Sequence, residues 1–409
     1  MDIKLSISTI KNNQEVIVSG SKSESNRLLI LQALYPSIQI SNLSNSEDCI
    51  VLQNALKSYR TNKVVDIHHT GTAMRFLTSF LAIQEGVNVV LTGSDRMKDR
   101  PIHVLVEALN SLGANVSYVE KNGYPPLKIC GATIKNDSID INANVSSQFI
   151  TSLILIGSSL SNGLKISLKG DITSLPYINM SLSLLQKLGI PATIKNQEIT
   201  VPFIAQIDSQ TIIVESDWSS ASYFYSIVAL SNIGTKLTLG YFKEDSLQGD
   251  SQLVSIYEKF GVKTTFLDHK ILIEKISQAS ITNLEINLNN SPDLAQTIIV
   301  TCLGLGITCK LSGLHTLKIK ETDRLKALKN ELEKFGANIT TTTDDIQLHN
   351  VVHFTTQPIA IETYQDHRMA LSFAPLALKQ ALIIKNKEVV SKSFPDYWSN
   401  LEDLGFCSI

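Results

Sequence analysis

A repeated punctuation of the chain limits its fold more than any other feature. Five times an amphipathic stretch ends in Leu or Phe, meets a Gly, and gives way to a new segment. The copies are "LNSLGANV" (Gly113), "LQKLGIPATI" (Gly189), "YEKFGVKTTF" (Gly261), "LEKFGANITT" (Gly336) and a truncated "LEDLGF" (Gly405), spaced 69 to 76 residues apart. Gly at such a place is the left-handed stop of a helix, after which the chain can turn into a strand. A second marker keeps the same period. Polar clusters open apolar helices at Thr70–Arg75, Ser146–Gln148, Ser219–Ser222, Ser291–Asp293 and Asp366–Arg368, and Ser21–Arg27 is a sixth. Counted from Thr72, Ser147, Ser220, Pro292 and His367, they lie 72 to 75 residues apart. Two separate markers with one period define a unit of about 70 residues, with two helices and intervening strands, in six copies. The first copy is short, its second helix ending near Tyr59 without the glycine.

A chain of 409 residues is too long for one ordinary core. Six units divide most simply into two lobes of three, an α/β protein. The first lobe is expected over residues 20–215. The second takes 216–409 together with 1–19, whose strand precedes the first helix.

The helix starts suggest chemistry. Ser, Thr or Asp caps each one, and the bodies ("LLILQAL", "FITSLILIG", "YFYSIVAL") are apolar nearly all round, so these helices are buried. The N–H groups at a buried helix end need partners, and an anion in a cleft between lobes would serve. The formal charge of −2 gives no bulk attraction to nucleic acid or anionic membrane, so anion binding must come from local cations. Lys22, Arg27, Arg75, Arg100, Lys320, Arg324, Arg368 and Lys392 all lie at or near helix starts or in short polar loops. Arg at a helix start opposes the dipole, so Arg75, Arg324 and Arg368 read as functional. A ligand with at least two anionic groups follows, one of them a phosphate. Asp293 and Glu321 stand among these cations, where a carboxylate is costly unless it moves protons.

Other classes are excluded. Ser21 rather than Gly precedes Lys22, so the opening stretch is not a Walker loop. No G-x-S-x-G elbow is present. His68 and His69 are adjacent and lack a third ligand at metal spacing. The five cysteines are scattered without C-x-x-C spacing, which predicts reduced, mostly buried thiols in a cytoplasmic protein. Cys302 and Cys309 are expected to pack within one apolar helix. The N-terminus has no signal-peptide or transit character, and the longest apolar run, near Ile298–Ile307, is too short to span a bilayer. In "KETDRLKALKNELEK", Lys326, Lys329 and Glu333 read as a solvated face.

Taken together, "GSKSESNR", "GTAMRFL", "DRMKDRPIHVLVEAL", "SSQF", "SLPYI", "KIKETDRL", "YQDHRMA" and "SKSFPDYW" resemble the 5-enolpyruvylshikimate-3-phosphate synthase family, in order and over essentially the whole chain. The resemblance implies the two-lobe enolpyruvyl-transferase fold: six repeated βαβαββ units, three per lobe, with the ligand cleft between lobes. It implies transfer of enolpyruvyl from phosphoenolpyruvate to shikimate 3-phosphate by a cytoplasmic monomer with no cofactor, metal, nucleic-acid or membrane partner. Carried over by motif, Lys22, Ser23, Arg27, Ser146, Ser147, Gln148, Ser174, Tyr177, Asp293 and Lys320 would hold shikimate 3-phosphate. Lys22, Gly71, Arg100, Gln148, Arg324, Arg368 and Lys392 would hold phosphoenolpyruvate. Asp293 would act as base, with Glu321 and Lys22 handling the proton delivered to the methylene carbon. His367 would orient or share a proton.

Three positions depart from the family pattern. His69-Thr70 replaces the usual Asn-Ala, Thr316 stands where an Asn often contacts ligand, and the first repeat is trimmed between Leu56 and Asp66. Two rivals stand beside this reading. The sister enzyme acting on UDP-N-acetylglucosamine typically carries a loop cysteine, which "GSDRMKDRPIH" lacks. A non-catalytic anion-binding protein could dispense with Asp293 and Glu321.

Overall fold

A computed structural model describes residues 1–143, 146–170, 172 and 175–407. The chain forms two compact units, one of Ser21–Val214, the other of Met1–Gly20 with Glu215–Ile409. Each unit is a threefold repetition. In the first, helices α1 (Lys22–Leu34), α2 (Gly71–Ala82) and α3 (Ser147–Gly157) pack on one another. In the second, α4 (Trp218–Leu230), α5 (Ala295–Leu305) and α6 (His367–Phe373) do the same. These six are the apolar helices of the repeat, and their bodies are buried.

Four of the six starts are capped by a side chain, though not always the expected one. Ser21 accepts from the N–H of Glu24, Ser146 from Gln148, Asp217 from Ser220 and Asp366 from Arg368. In "DWSSAS" the carboxylate, a stronger acceptor than a hydroxyl, takes the cap ahead of Ser219. Thr70 and Ser291 make no side-chain cap bond. After Ser291 the chain instead makes a 3-10 turn, Pro292–Leu294, with Pro in the first turn, where its missing N–H is not needed. The glycines of the period all have positive φ: 105° at Gly113, 83° at Gly189, 79° at Gly261, 82° at Gly336 and 101° at Gly405.

Buried hydroxyls follow the same period. Ser222 Oγ lies 3.1 Å from Thr297 Oγ1, which lies 3.2 Å from Ser372 Oγ, so equivalent positions of α4, α5 and α6 satisfy one another. In the first unit Ser79 donates to Ser152 at 3.0 Å. A hydroxyl in an apolar interior needs a partner, and the repeat supplies one from its own copies.

Among the described residues the sheets lie three to a unit. In the first unit Gln210–Ile213 pairs in parallel with Ile38–Ser41. Two four-stranded sheets follow. One has the order Val64–Asp66, Asn88–Thr92, Leu127–Cys130, Asn115–Tyr118; the other has Thr193–Lys195, Glu198–Val201, Leu164–Lys169, Ser138–Asn142. In the second unit Gln14–Val16 pairs in parallel with Lys236–Gly240, and Ile3–Leu5 runs antiparallel to Leu382–Ile384. The N-terminal strands thus complete sheets whose other strands lie more than two hundred residues away in sequence. One expectation is corrected: Cys302 is on α5, but Cys309 is on the strand Thr308–Ser312, because Gly306 (φ 69°) ends the helix between them. Both thiols are buried. Among the described residues no helix is long and apolar enough to cross a membrane.

Candidate active site

In the first unit, Lys22 opens α1 and its Nζ lies 3.3 Å from Oδ2 of buried Asp48. One turn on, Arg27 is buried and ties three elements together. Its Nε donates to Ser181 Oγ at 2.9 Å, Nη1 to the Ser23 carbonyl at 2.6 Å, and Nη2 to the Tyr177 carbonyl at 3.3 Å and to Thr151 Oγ1 at 3.4 Å. Burial lowers its guanidinium to about 10, against the raising effect of Tyr177 and Glu24. Tyr177 lies on the helix Leu175–Lys187; Ser174, just before it, is outside the described residues. Ser146 caps α3, Ser147 is buried behind it, and Gln148 donates to Thr72 Oγ1 at 3.3 Å, joining the starts of α2 and α3.

Gly71 opens α2 beneath Arg100. A Cβ on Gly71 would lie 2.4 Å from Arg100 Nη1, so only glycine lets the guanidinium lie over the helix start. Buried Arg75 braces this corner, donating from Nη1 to the Gly71 carbonyl at 3.1 Å and from Nη2 to the Pro101 carbonyl at 3.3 Å. These bonds, with one from Nη1 to Met97 Sδ at 3.6 Å, give it a bracing role beside Arg100. His69 is exposed, with Nδ1 3.0 Å from Ser94 Oγ.

The second unit holds a denser cluster. Arg324 opens the helix Arg324–Glu333 and is 2% exposed. Its Nη1 donates to Asp293 Oδ1 at 2.9 Å, Nη2 to Glu321 Oε2 at 2.9 Å, and Nε to Asp366 Oδ2 at 2.6 Å. Arg368, from the first turn of α6, donates from Nη2 to Asp293 Oδ2 at 2.9 Å and from Nη1 to the Asp293 carbonyl at 3.1 Å. Lys392 reaches Glu321 Oε1 at 2.7 Å. Burial by itself would raise the Asp293 carboxyl. The charges of Arg368, Lys320 and Arg324 outweigh it and hold Asp293 well below the usual carboxylate range. Burial would likewise lower Arg324, but Asp366, Glu321 and Asp293 hold it above its ordinary value. Asp293 and Glu321 are thus ion-paired with Arg324, Arg368 and Lys392 in one cluster. His367 is buried, with Nδ1 3.7 Å from Asp366 Oδ1, and Thr316 lies in the 3-10 turn His315–Ile319.

In the first unit Arg27 meets the Tyr177 carbonyl and Gly71 lies beneath Arg100, and in the second Asp293, Glu321, Arg324, Arg368 and Lys392 form one cluster. Reading the sequence missed their acidic partners. Asp48 and Asp366 are buried and engage Lys22 and Arg324, and Tyr223 and Ser219 accept from Arg368 at 3.5 and 3.3 Å. Asp366 carried a signal, as the helix-cap residue of "QDHR"; Asp48 carried none.

Comparisons with known proteins bear on the family and the fold. The family model described as EPSP synthase (3-phosphoshikimate 1-carboxyvinyltransferase) matches residues 39–401. A 3-phosphoshikimate 1-carboxyvinyltransferase of Bacteroides fragilis is 41% identical over 390 residues, covering 95% of this chain and 94% of its own. One from Vibrio campbellii is 36% identical over 418 residues, covering 95% and 96%. Among solved structures, EPSP synthase from Acinetobacter baumannii superposes with a TM-score of 0.79 at 18% identity, over 100% of this chain and 99% of that one. An enolpyruvyl transferase from Streptomyces tendae gives 0.77 at 11% identity, over 100% and 98%, so the two-lobe fold is shared. Relatives this similar, aligned over nearly their whole length, leave one conclusion: the chain belongs to the EPSP synthase family.

Proposed function

We propose that the protein adds the 5-hydroxyl of shikimate 3-phosphate to C2 of phosphoenolpyruvate and then eliminates phosphate, leaving an enolpyruvyl ether. The reaction serves aromatic amino acid biosynthesis. The observation that carries this reading is Asp293, a carboxylate clamped by two guanidiniums 2.9 Å away, in a chain of this family.

The roles follow residue by residue. Asp293 takes the hydroxyl proton as the new C–O bond forms. Glu321, with Lys22, delivers a proton to the methylene carbon, giving a tetrahedral ketal. Loss of a methyl proton then expels phosphate and restores the double bond. Arg100, Arg324, Arg368 and Lys392, with Lys22, Gly71 and Gln148, hold the phosphate and carboxylate of phosphoenolpyruvate. Charge that builds on these oxygens is met by cations already in place. Lys22, Ser23, Arg27, Ser146, Ser147, Gln148, Ser174, Tyr177, Asp293 and Lys320 hold shikimate 3-phosphate. Family membership supports a cytoplasmic monomer that needs no cofactor.

The test is phosphate release from the purified protein given phosphoenolpyruvate, with and without shikimate 3-phosphate. Release only with both supports the transferase. Release with UDP-N-acetylglucosamine instead would assign the sister reaction, and none with either would leave a binding protein.

Gly71→Ala supplies a local check. The new methyl must push the Arg100 guanidinium aside, and the end of a long side chain can move without unfolding the helix. KM for phosphoenolpyruvate is expected to rise about tenfold, the loss of one charge-assisted contact, with the thermal midpoint unchanged. An unchanged KM would remove Arg100 from the phosphoenolpyruvate site.

A further inference from the structure

Asp250 has no role in the scheme above, yet it is joined to the centre of the second unit. It lies in the 3-10 turn Gly249–Gln252 and is 5% exposed. Its Oδ2 accepts from Ser219 Oγ, while its Oδ1 is buried with no hydrogen-bond partner. Ser219 Oγ in turn accepts from Arg368 Nη2 at 3.3 Å, and the same Nη2 donates to Asp293 Oδ2 at 2.9 Å. The two protons of Nη2 are therefore divided. One goes directly to Asp293, and the other goes through a hydroxyl to Asp250.

We propose that Asp250 is a positioning residue for this reaction: acting through Ser219, it fixes the Arg368 guanidinium in the orientation that meets Asp293 and receives phosphoenolpyruvate. A hydroxyl that donates to a carboxyl oxygen becomes a better acceptor, and so holds the Arg368 proton more firmly. Ser219 has one proton, and Asp250 takes it. Burial, and then the charge of Asp293, raise the Asp250 carboxyl to about 7. In either protonation state it keeps an oxygen for Ser219. Asp217, at the start of α4, is a further raising charge, and Arg368 opposes it.

The proposal rests on Arg368 as a phosphoenolpyruvate ligand, and steady-state kinetics of the full chain can separate the two. Asp250→Ala and Ser219→Ala should each raise KM for phosphoenolpyruvate about tenfold, with KM for shikimate 3-phosphate within about twofold. The double variant should lose no more than either single one, because both cut one relay. Asp250→Asn keeps an accepting oxygen and should stay within about threefold of the parent. Additive losses, Asn as poor as Ala, or a fall in kcat alone would overturn the proposal. Should Asp250→Ala fail to fold, Ser219→Ala set against Asp250→Asn decides by the same criteria. Arg368→Lys is the control. An unchanged KM for phosphoenolpyruvate there would sink the parent reading. A raised KM there, with Asp250→Ala and Ser219→Ala normal, would sink only the relay.

Discussion

Asp293→Asn is expected to cut turnover at least about 100-fold, the low end for loss of a general base, while affinity for shikimate 3-phosphate stays largely intact. Asn is isosteric and keeps one accepting oxygen, so it can hold one of the two guanidiniums that lie 2.9 Å from the carboxylate oxygens, while its NH2 faces the other. The basicity goes, together with the charge that paired with both guanidiniums. The same pairs create a tension. Arg368, Lys320 and Arg324 hold Asp293 well below the usual carboxylate range, where it is ionised but a feeble base. Both guanidiniums are also assigned to the anionic oxygens of phosphoenolpyruvate. As they turn toward that ligand, Asp293 loses part of its compensation and its basicity rises. The base is thus armed by the substrate whose partner it must deprotonate. A pH study tests this directly. The profile of kcat/KM reports the free protein, and the profile of kcat reports the loaded one. Asp293 should give kcat an acid limb at higher pH than any it gives kcat/KM, and Asp293→Asn should abolish the difference. Coincident limbs, or intact turnover in the variant, would take the base role away from Asp293.

What could be read from the sequence was whatever has a local cause. A helix-ending Gly and a capping acid act within a few residues, so the period, the buried helices and the cations at their starts were legible. Pairing across long separations was not. Nothing in "QEV" says that Gln14–Val16 will lie beside Lys236–Gly240, or that Gln210–Ile213 will lie beside Ile38–Ser41. The misplacement of Cys309 is a local miss of another kind. "CLGLGITC" is apolar throughout, and only the positive φ of Gly306 divides helix from strand. The site divides likewise. Arg324 and Arg368 stood out because a cation at a helix start opposes the dipole. Their acids did not, because Asp366 meets Arg324 across 42 residues and Asp250 reaches Arg368 only through Ser219. A carboxylate's partner is chosen by packing, and one sequence carries no record of that choice.

Arg324→Leu is expected to destabilise the second unit by about 3–5 kcal/mol at neutral pH, the cost of removing one partner from a buried ionic group. Arg324 is 2% exposed and serves three carboxylates at once; Asp366, fully buried, receives its Nε at 2.6 Å. Leucine fills part of the space but takes from Asp366, Asp293 and Glu321 the guanidinium they share. The chain's two tryptophans, Trp218 and Trp398, both lie in this unit, so fluorescence-detected urea unfolding reads it without the other. The sign of the pH dependence discriminates further. Folding depresses the Asp293 carboxyl, so its stabilisation is full above its unfolded value of about 4 and is lost as pH falls toward the depressed one. The parent protein should lose stability through that window. The variant, its Asp293 no longer depressed as far, should lose less, and the two curves should converge in acid. A gap of constant size from neutrality down to acid would mean that Arg324 acts by packing. Arg324→Lys sharpens the point: it restores a charge but not the fork that reaches three acids, so it should recover only part of the loss.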